Sequence, residues 1–273
     1  MICRIYIYTE PRCDGLDFSA VEGYVAGMLP GAMVELRGPL LEDEIESAGD
    51  EALEKIAVSL AAAKVRDLSQ PFPKTQNVLS GEVAYERRRL VNRDSDVCGL
   101  LYDAHAYSGL YRELLPVEES GLEHIHIVFT SQLLGTWEPV DRRYHARTVL
   151  CGSPSIVSIA GLVEAPAKSP AYYLARRGAE AFGLAEEAKV ELAASFADDC
   201  LKLDDPRLTE VAKGYVMQAV VYRLTGEPFC TDTGCRLFNA HWQRELLMAQ
   251  LGGSYEYCRV HEEFFRDLAK GGA

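Results

Sequence analysis

The chain has 273 residues, enough for one large domain or two small ones with a sizeable core. Hydrophobic residues make up 48% and charged residues 25%, a globular mixture rather than a disordered or fibrous one. The 28 Lys and Arg against 41 Asp and Glu leave a net charge of −13, which repels phosphate backbones and anionic lipid surfaces and argues against nucleic-acid and membrane partners.

Residues 2 to 8 alternate and are rich in Ile and Tyr, the pattern of a strand rather than of a basic leader before a secretion core. No stretch approaches about 18 consecutive apolar residues, so a cytoplasmic chain is expected. Phe18, Val21, Tyr24, Val25 and Met28 recur at helical spacing, and Met33 to Arg37 is again strand-like, which gives a β-α-β opening. Helices are predicted over Asp50 to Leu68 and Glu82 to Val91, the second carrying Arg87, Arg88 and Arg89 as a solvated face. Three apolar segments, His124 to Thr130, Tyr144 to Leu150 and Ser155 to Ala160, read as strands of one sheet. The pattern then turns helical: Ala171 to Phe182, Ala185 to Leu201, and a helix reaching Thr225 with Asp205 as N-cap and Pro206 in its first turn. The buried stripe of this last helix is expected to be Leu208, Val211, Tyr215, Ala219 and Tyr222. A further helix, Asn239 to Leu251, should turn Trp242, Leu246, Leu247 and Leu251 toward the body.

No internal repeat or long linker divides the chain, and the linker-like stretch Ala165 to Pro170 is too short to separate domains. The expected organisation is a β-α-β-containing part over residues 1–118 and a core with a C-terminal metal site over residues 119–273, in one continuous α/β unit.

Of eight cysteines, Cys3, Cys13, Cys98, Cys151 and Cys200 are scattered, and Cys13, Cys98, Cys151 and Cys200 have no sequence-readable base beside them. Cys230, Cys235 and Cys258 crowd into the last 44 residues. Cys230-x-x-x-x-Cys235, then 22 residues, then Cys258-x-x-His261 forms two close ligand pairs that can reach the corners of a tetrahedron around one structural zinc ion. His241 is the alternative fourth ligand, although Glu245, one helical turn on, offers it a local hydrogen bond instead. A second metal could sit on His124 and His126, which share a strand face, with His145 or His105 completing the set and Glu123, Asp103 or Asp141 as carboxylate partners. Trp137 could floor a ligand or peptide groove and Glu164 could be a lone acid, but one indole in a loop is more often a packed lid, and a lone acid more often surface. Glycine-dependent dinucleotide, phosphate-loop and serine-hydrolase motifs are absent.

The run Ala219-Val220-Val221-Tyr222-Arg223-Leu224-Thr225-Gly226-Glu227-Pro228-Phe229-Cys230 resembles the register of an archaemetzincin, whose signature H-E-x-x-H-x-x-G-x-x-H is followed at once by C-x-x-x-x-C and later by C-x-x-C. Gly226 falls on the signature glycine, Cys230 and Cys235 on the first structural-zinc pair, and Cys258 and His261 on the second. The segments Ile127 to Leu133, Tyr144 to Arg147 and Pro154 to Leu162 are similar to the strands that precede that helix. The likeness spans roughly residues 120 to 261, and the whole chain resembles a mainly archaeal family described as metallopeptidases. It implies a metzincin-like mixed sheet with packed helices and a C-terminal zinc-stapled helical segment.

The resemblance fails where chemistry would occur. The two helical histidines are replaced by Ala219 and Arg223, the general-base glutamate by Val220 and the third histidine by Phe229. None of these can ligate zinc or take a proton from water near neutrality. The expectation is a zinc-binding protein of metallopeptidase ancestry without peptidase activity, acting on a peptide or protein as a binding or regulatory module. The rival reading is a metal-dependent hydrolase built around His124, His126 and His145.

Overall fold

A computed structural model describes residues 4–10, 15–73, 76–92, 100–183, 195–196 and 198–271. Cys3, Cys13, Cys98 and most of the helix expected over Ala185 to Leu201 lie outside these residues.

The central sheet has five strands, β1 (Arg4–Tyr8), β2 (Met33–Arg37), β4 (His124–Thr130), β7 (Val149–Leu150) and β8 (Ser155–Ser158), in the order β2-β1-β4-β8-β7. All neighbours are parallel except the two-residue edge strand β7. A smaller sheet joins β3 (Leu101–Asp103), β5 (Leu133–Glu138) and β6 (Arg143–Arg147), with β5 parallel to β3 and antiparallel to β6. The fold class is therefore mixed α/β.

Alternation along β1 explains why the large sheet is covered on both faces. Ile5 and Ile7 enter one core with Ile125, Ile127 and Phe129 of β4, while Tyr6 and Tyr8 enter the other with Val128. The first core is closed by α1 (Phe18–Met28), through Val21 and Val25, and by α8 (Leu208–Thr225). The second is closed by α2 (Leu40–Ala48), α3 (Asp50–Ala63), α4 (Ser80–Val91) and α5 (Ala104–Leu114). Between the sheets and α8 run α6 (Ile159–Glu164) and α7 (Pro170–Ala181); α9 (Gln243–Leu247), a π-turn over Met248–Gly252, and α10 (Arg259–Gly271) follow α8.

Several expectations are corrected. Tyr144 to Leu150 is not one strand: the chain leaves the small sheet after Arg147 and enters the large one at Val149, so β6 and β7 belong to different sheets. Ser155 to Ala160 is strand only to Ser158, whose hydroxyl accepts from the Gly161 N–H and caps α6. α3 stops at Ala63 because Lys64 turns extended and bridges to Tyr102. Arg89 is not solvated; it is 4% exposed and bonded to the fully buried Glu86, which also receives Lys64 and the Tyr102 hydroxyl. Asp205 and Pro206 form a turn before α8, with the Asp205 carboxylate bonded to Arg207, rather than its cap. α8 is apolar nearly all round, as a helix enclosed by other elements must be; Tyr222 alone of the expected stripe is only half-buried. Asn239 to Leu251 is broken into α9 and the π-turn, leaving Trp242 and Leu251 about two-fifths exposed, while Leu246 is fully buried.

Candidate metal centre

α8 ends at Gly226, whose φ of 79° is left-handed and whose N–H returns to the Tyr222 carbonyl. The chain can then double back, because glycine adopts this conformation without a Cβ clash. Cys230 and Cys235 follow in a tight knuckle. The Cys230 N–H donates to Leu237 O at 2.8 Å, and the Asp232 N–H points at Cys230 Sγ from 3.3 Å. Asp232 holds the turn, accepting from the Gly234 N–H at 2.9 Å and the Tyr255 hydroxyl at 2.7 Å. A Cβ at position 234 would sit 2.8 Å from the Tyr255 hydroxyl oxygen, so a larger residue there would push Tyr255 off Asp232. This lock was missed in the sequence, although Asp-x-Gly between two cysteines is a turn signal that could have exposed it.

The second pair stands at the start of α10. The Cys258 carbonyl accepts from the N–H groups of His261 and Glu262, both at 2.9 Å, so the first turn of the helix carries thiol and imidazole together. Tyr257 anchors this turn, its ring edge-on to Phe265 at 4.7 Å and its hydroxyl 2.6 Å from that of Tyr24 on α1.

These two local structures bring one donor atom each from Cys230, Cys235, Cys258 and His261 within 4.8 Å of one another. The Cys230 and Cys258 sulfurs are 3.8 Å apart; His261 Nδ1 is 3.6 Å from Cys235 Sγ and 3.1 Å from Cys258 Sγ. Four ligands on a tetrahedron around zinc, with Zn–S near 2.3 Å, imply sulfur–sulfur edges of about 3.8 Å, so the donor set fits that ion. Burial pushes the Cys235 thiol up to about 12 and raises Cys230, while it lowers His261. Near neutrality the two thiols keep their protons until a cation displaces them, and the imidazole is ready as a neutral ligand. His241 is not in the cluster; its backbone N–H, rather than its ring, bonds to Glu245 at 2.9 Å.

The other candidate ligands are spent elsewhere. His126 is buried, with Nδ1 3.1 Å from the Tyr8 hydroxyl and Nε2 3.0 Å from Glu119 O. His124 Nδ1 is 3.1 Å from the Tyr6 hydroxyl, with Glu123 at 3.7 Å from its other nitrogen. His145 stands on β6, in the other sheet, paired with Asp141 at 2.8 Å. Asp103 caps α5, accepting from the N–H groups of His105 and Ala106, and also takes the Tyr144 hydroxyl. Among the described residues the one group of three or more such donors is the cysteine and histidine tetrad, so His124, His126 and His145 do not assemble into a second one. Trp137 lies on β5 rather than in a loop, edge-on to Tyr144, and Glu164 pairs with Lys168. Cys151 and Cys200 are thiols raised by burial, Cys151 to about 12.

On α8, Ala219 and Val220 are fully buried, and Arg223 donates to the Gly121 carbonyl at 3.2 Å. Phe229 is 36% exposed beyond the helix end.

A zinc-dependent peptidase of solved structure from Methanocorpusculum labreanum is similar at 13% identity and a TM-score of 0.41, over 96% of this chain and 99% of that one. No curated protein matches the sequence. A family profile does match, across residues 1–268, and by that match the chain belongs to the family described as "Probable metallopeptidase family (DUF6775)".

Proposed function

We propose that the chain is a zinc-binding, non-catalytic member of this metallopeptidase family, metzincin-like in architecture and archaemetzincin-like in its signature register, that serves as a binding or regulatory module for a peptide or protein. The observation that carries this reading is the chemistry of α8. A metzincin-type site needs three imidazoles around an open metal position and a carboxylate to activate water. At the corresponding places this helix and its exit carry Ala219, Val220, Arg223 and Phe229, and the first two are sealed in the core. The tetrad beyond it offers four protein donors, which leaves no open coordination position and suits a structural ion.

Two measurements test the reading. Elemental analysis of the reduced protein should give one zinc per chain; two would reinstate a second centre. Incubation with a mixed peptide pool and added zinc should leave the peptides intact, and chelator-sensitive cleavage would overturn the non-catalytic assignment.

A further inference from the structure

The four donors of the tetrad are not equally guarded. Cys235 is fully buried, whereas Cys230 and Cys258 are only half-buried. Their sulfurs are 3.8 Å apart, within a tetrad whose four donors all lie within 4.8 Å of one another and whose imidazole is 3.1 Å from Cys258 Sγ and 3.6 Å from Cys235 Sγ. A sulfur–sulfur bond is about 2.05 Å long, so closing the gap takes a movement of roughly 1.8 Å shared between two side chains. Cys230 is in the knuckle after α8 and Cys258 at the foot of α10, so a bond between them spans the two local structures that the metal joins.

We propose that Cys230 and Cys258 form a redox-modification site, at which a hydroperoxide converts the metal-binding tetrad into a disulfide and expels the zinc. This rests on the zinc reading above. In the metal-bound state both sulfurs are thiolates, the reactive form. One thiolate attacks a peroxide oxygen: an S–O bond forms, the O–O bond breaks and hydroxide leaves, giving a sulfenic acid. The neighbouring thiolate attacks that sulfur, the S–S bond forms, and the S–O bond breaks to release a second hydroxide. Two protons from water or buffer complete the balance: two thiolates, one hydrogen peroxide and two protons give one disulfide and two waters. The sulfurs lose two electrons and the peroxide oxygens gain them, while zinc keeps its charge. With Cys235 and His261 as its only remaining donors, the ion departs to solvent. The disulfide holds the foot of α10 against the knuckle, so oxidation changes the metal content without freeing the tail.

The experiment uses the reduced, full-length protein. Zinc is first counted by elemental analysis; hydrogen peroxide is then added while a chromogenic chelator follows released zinc and mass spectrometry maps the cysteines. The expected result is one zinc released per disulfide formed, a peptide cross-linked through Cys230 and Cys258, and full recovery of bound zinc after a dithiol reductant and zinc are supplied. Zinc retained under peroxide, release accompanied only by irreversible sulfinic acids, or a cross-link through Cys235 instead would overturn this inference and leave the zinc reading standing. A reduced protein that holds no zinc would overturn both, and does so before peroxide is added.

Discussion

At the level of single residues, two glycines separate close packing from mere absence of a side chain. Gly161 lies in α6 where β6 gives way to β7, and a Cβ there would overlap the Arg147 carbonyl oxygen and come within 2.8 Å of the Ser158 hydroxyl. Neither can yield, since one is backbone and the other is a helix cap bonded to Gln132 O. Gly161→Ala should destabilise the protein by about 3 kcal/mol, at the upper end for overpacking, and lower Tm by roughly 2–4 °C per kcal/mol, as read by calorimetry. Gly23 sits in α1 with nothing within 4 Å of the space a Cβ would fill. Gly23→Ala therefore removes backbone entropy from the unfolded chain at no steric cost and should raise stability by about 0.5–1 kcal/mol in the same assay. His126 gives a third test. Burial holds its pKa below the ordinary histidine range, with Arg37 and His124 acting in the same direction and Glu119 opposing them. The unfolded chain therefore takes up the proton first, near pH 6.5. The stability His126 contributes is complete above that pH and drains away as pH falls toward the folded-state value. Urea titrations of the wild type should show this slope, and His126→Phe should flatten it. The variant's overall stability will also drop by about 1–3 kcal/mol with the loss of hydrogen bonds to Tyr8 and Glu119, so the slope is the readout rather than the height.

Among the elements, α8 decides the functional reading. On the proposed register Val220 falls where a metzincin peptidase would keep its general base, and it is fully enclosed. Val220→Glu should bury a carboxyl without a built partner and cost on the order of 3 kcal/mol or more at pH 8. The loss should be smaller at pH 5, where the acid can stay neutral, and denaturant unfolding at the two pH values checks both magnitude and sign. Local periodicity made α1 legible because Val21 and Val25 bury one face at helical spacing; β2 and α7 were legible from pattern alone, since β2 has no fully buried residue and α7 only Ala179. It could not separate β6 from β7, since an apolar run does not say which neighbour it will pair with. Arg89 was opaque for a related reason: its partner Glu86 is local, but the burial of the pair comes from Lys64 and Tyr102, distant in sequence. The C-terminal cysteine and histidine spacings stood out because each pair is a single turn of chain. That the two turns meet depends on Tyr257, Tyr24 and Asp232, which no ligand motif specifies.

Across the molecule, the two hydrophobic cores and the tetrad divide the labour of holding the chain. The cores enclose the central sheet from both sides; the first holds α1 and α8 and also takes in Cys235, Leu237, Leu246, Tyr257 and Phe265 from the segment after α8, whereas the second contains no residue of that segment. The segment after α8 has less to rely on: a five-residue α9, a π-turn with Met248 half exposed, and α10, which buries Phe265 but leaves most of its length in solvent. Side-chain bonds connect it to the body, notably Gln243 to the Leu162 and Val163 carbonyls, and Arg236 to Glu210 on α8. A structural zinc can contribute on the order of 10 kcal/mol to folding of the segment that binds it, so the tail should depend on the ion more than the central strands and the second core do. Chelation of the reduced protein should therefore raise amide exchange over residues 230–271, most at the Cys230 to Cys235 knuckle and the first turn of α10, and leave β1, β4 and the middle of α8 as protected as before. Hydrogen exchange followed by mass spectrometry reads this segment by segment. Uniform loss of protection would mean that the ion supports the whole fold, and no change anywhere would mean that packing alone keeps the tail in place.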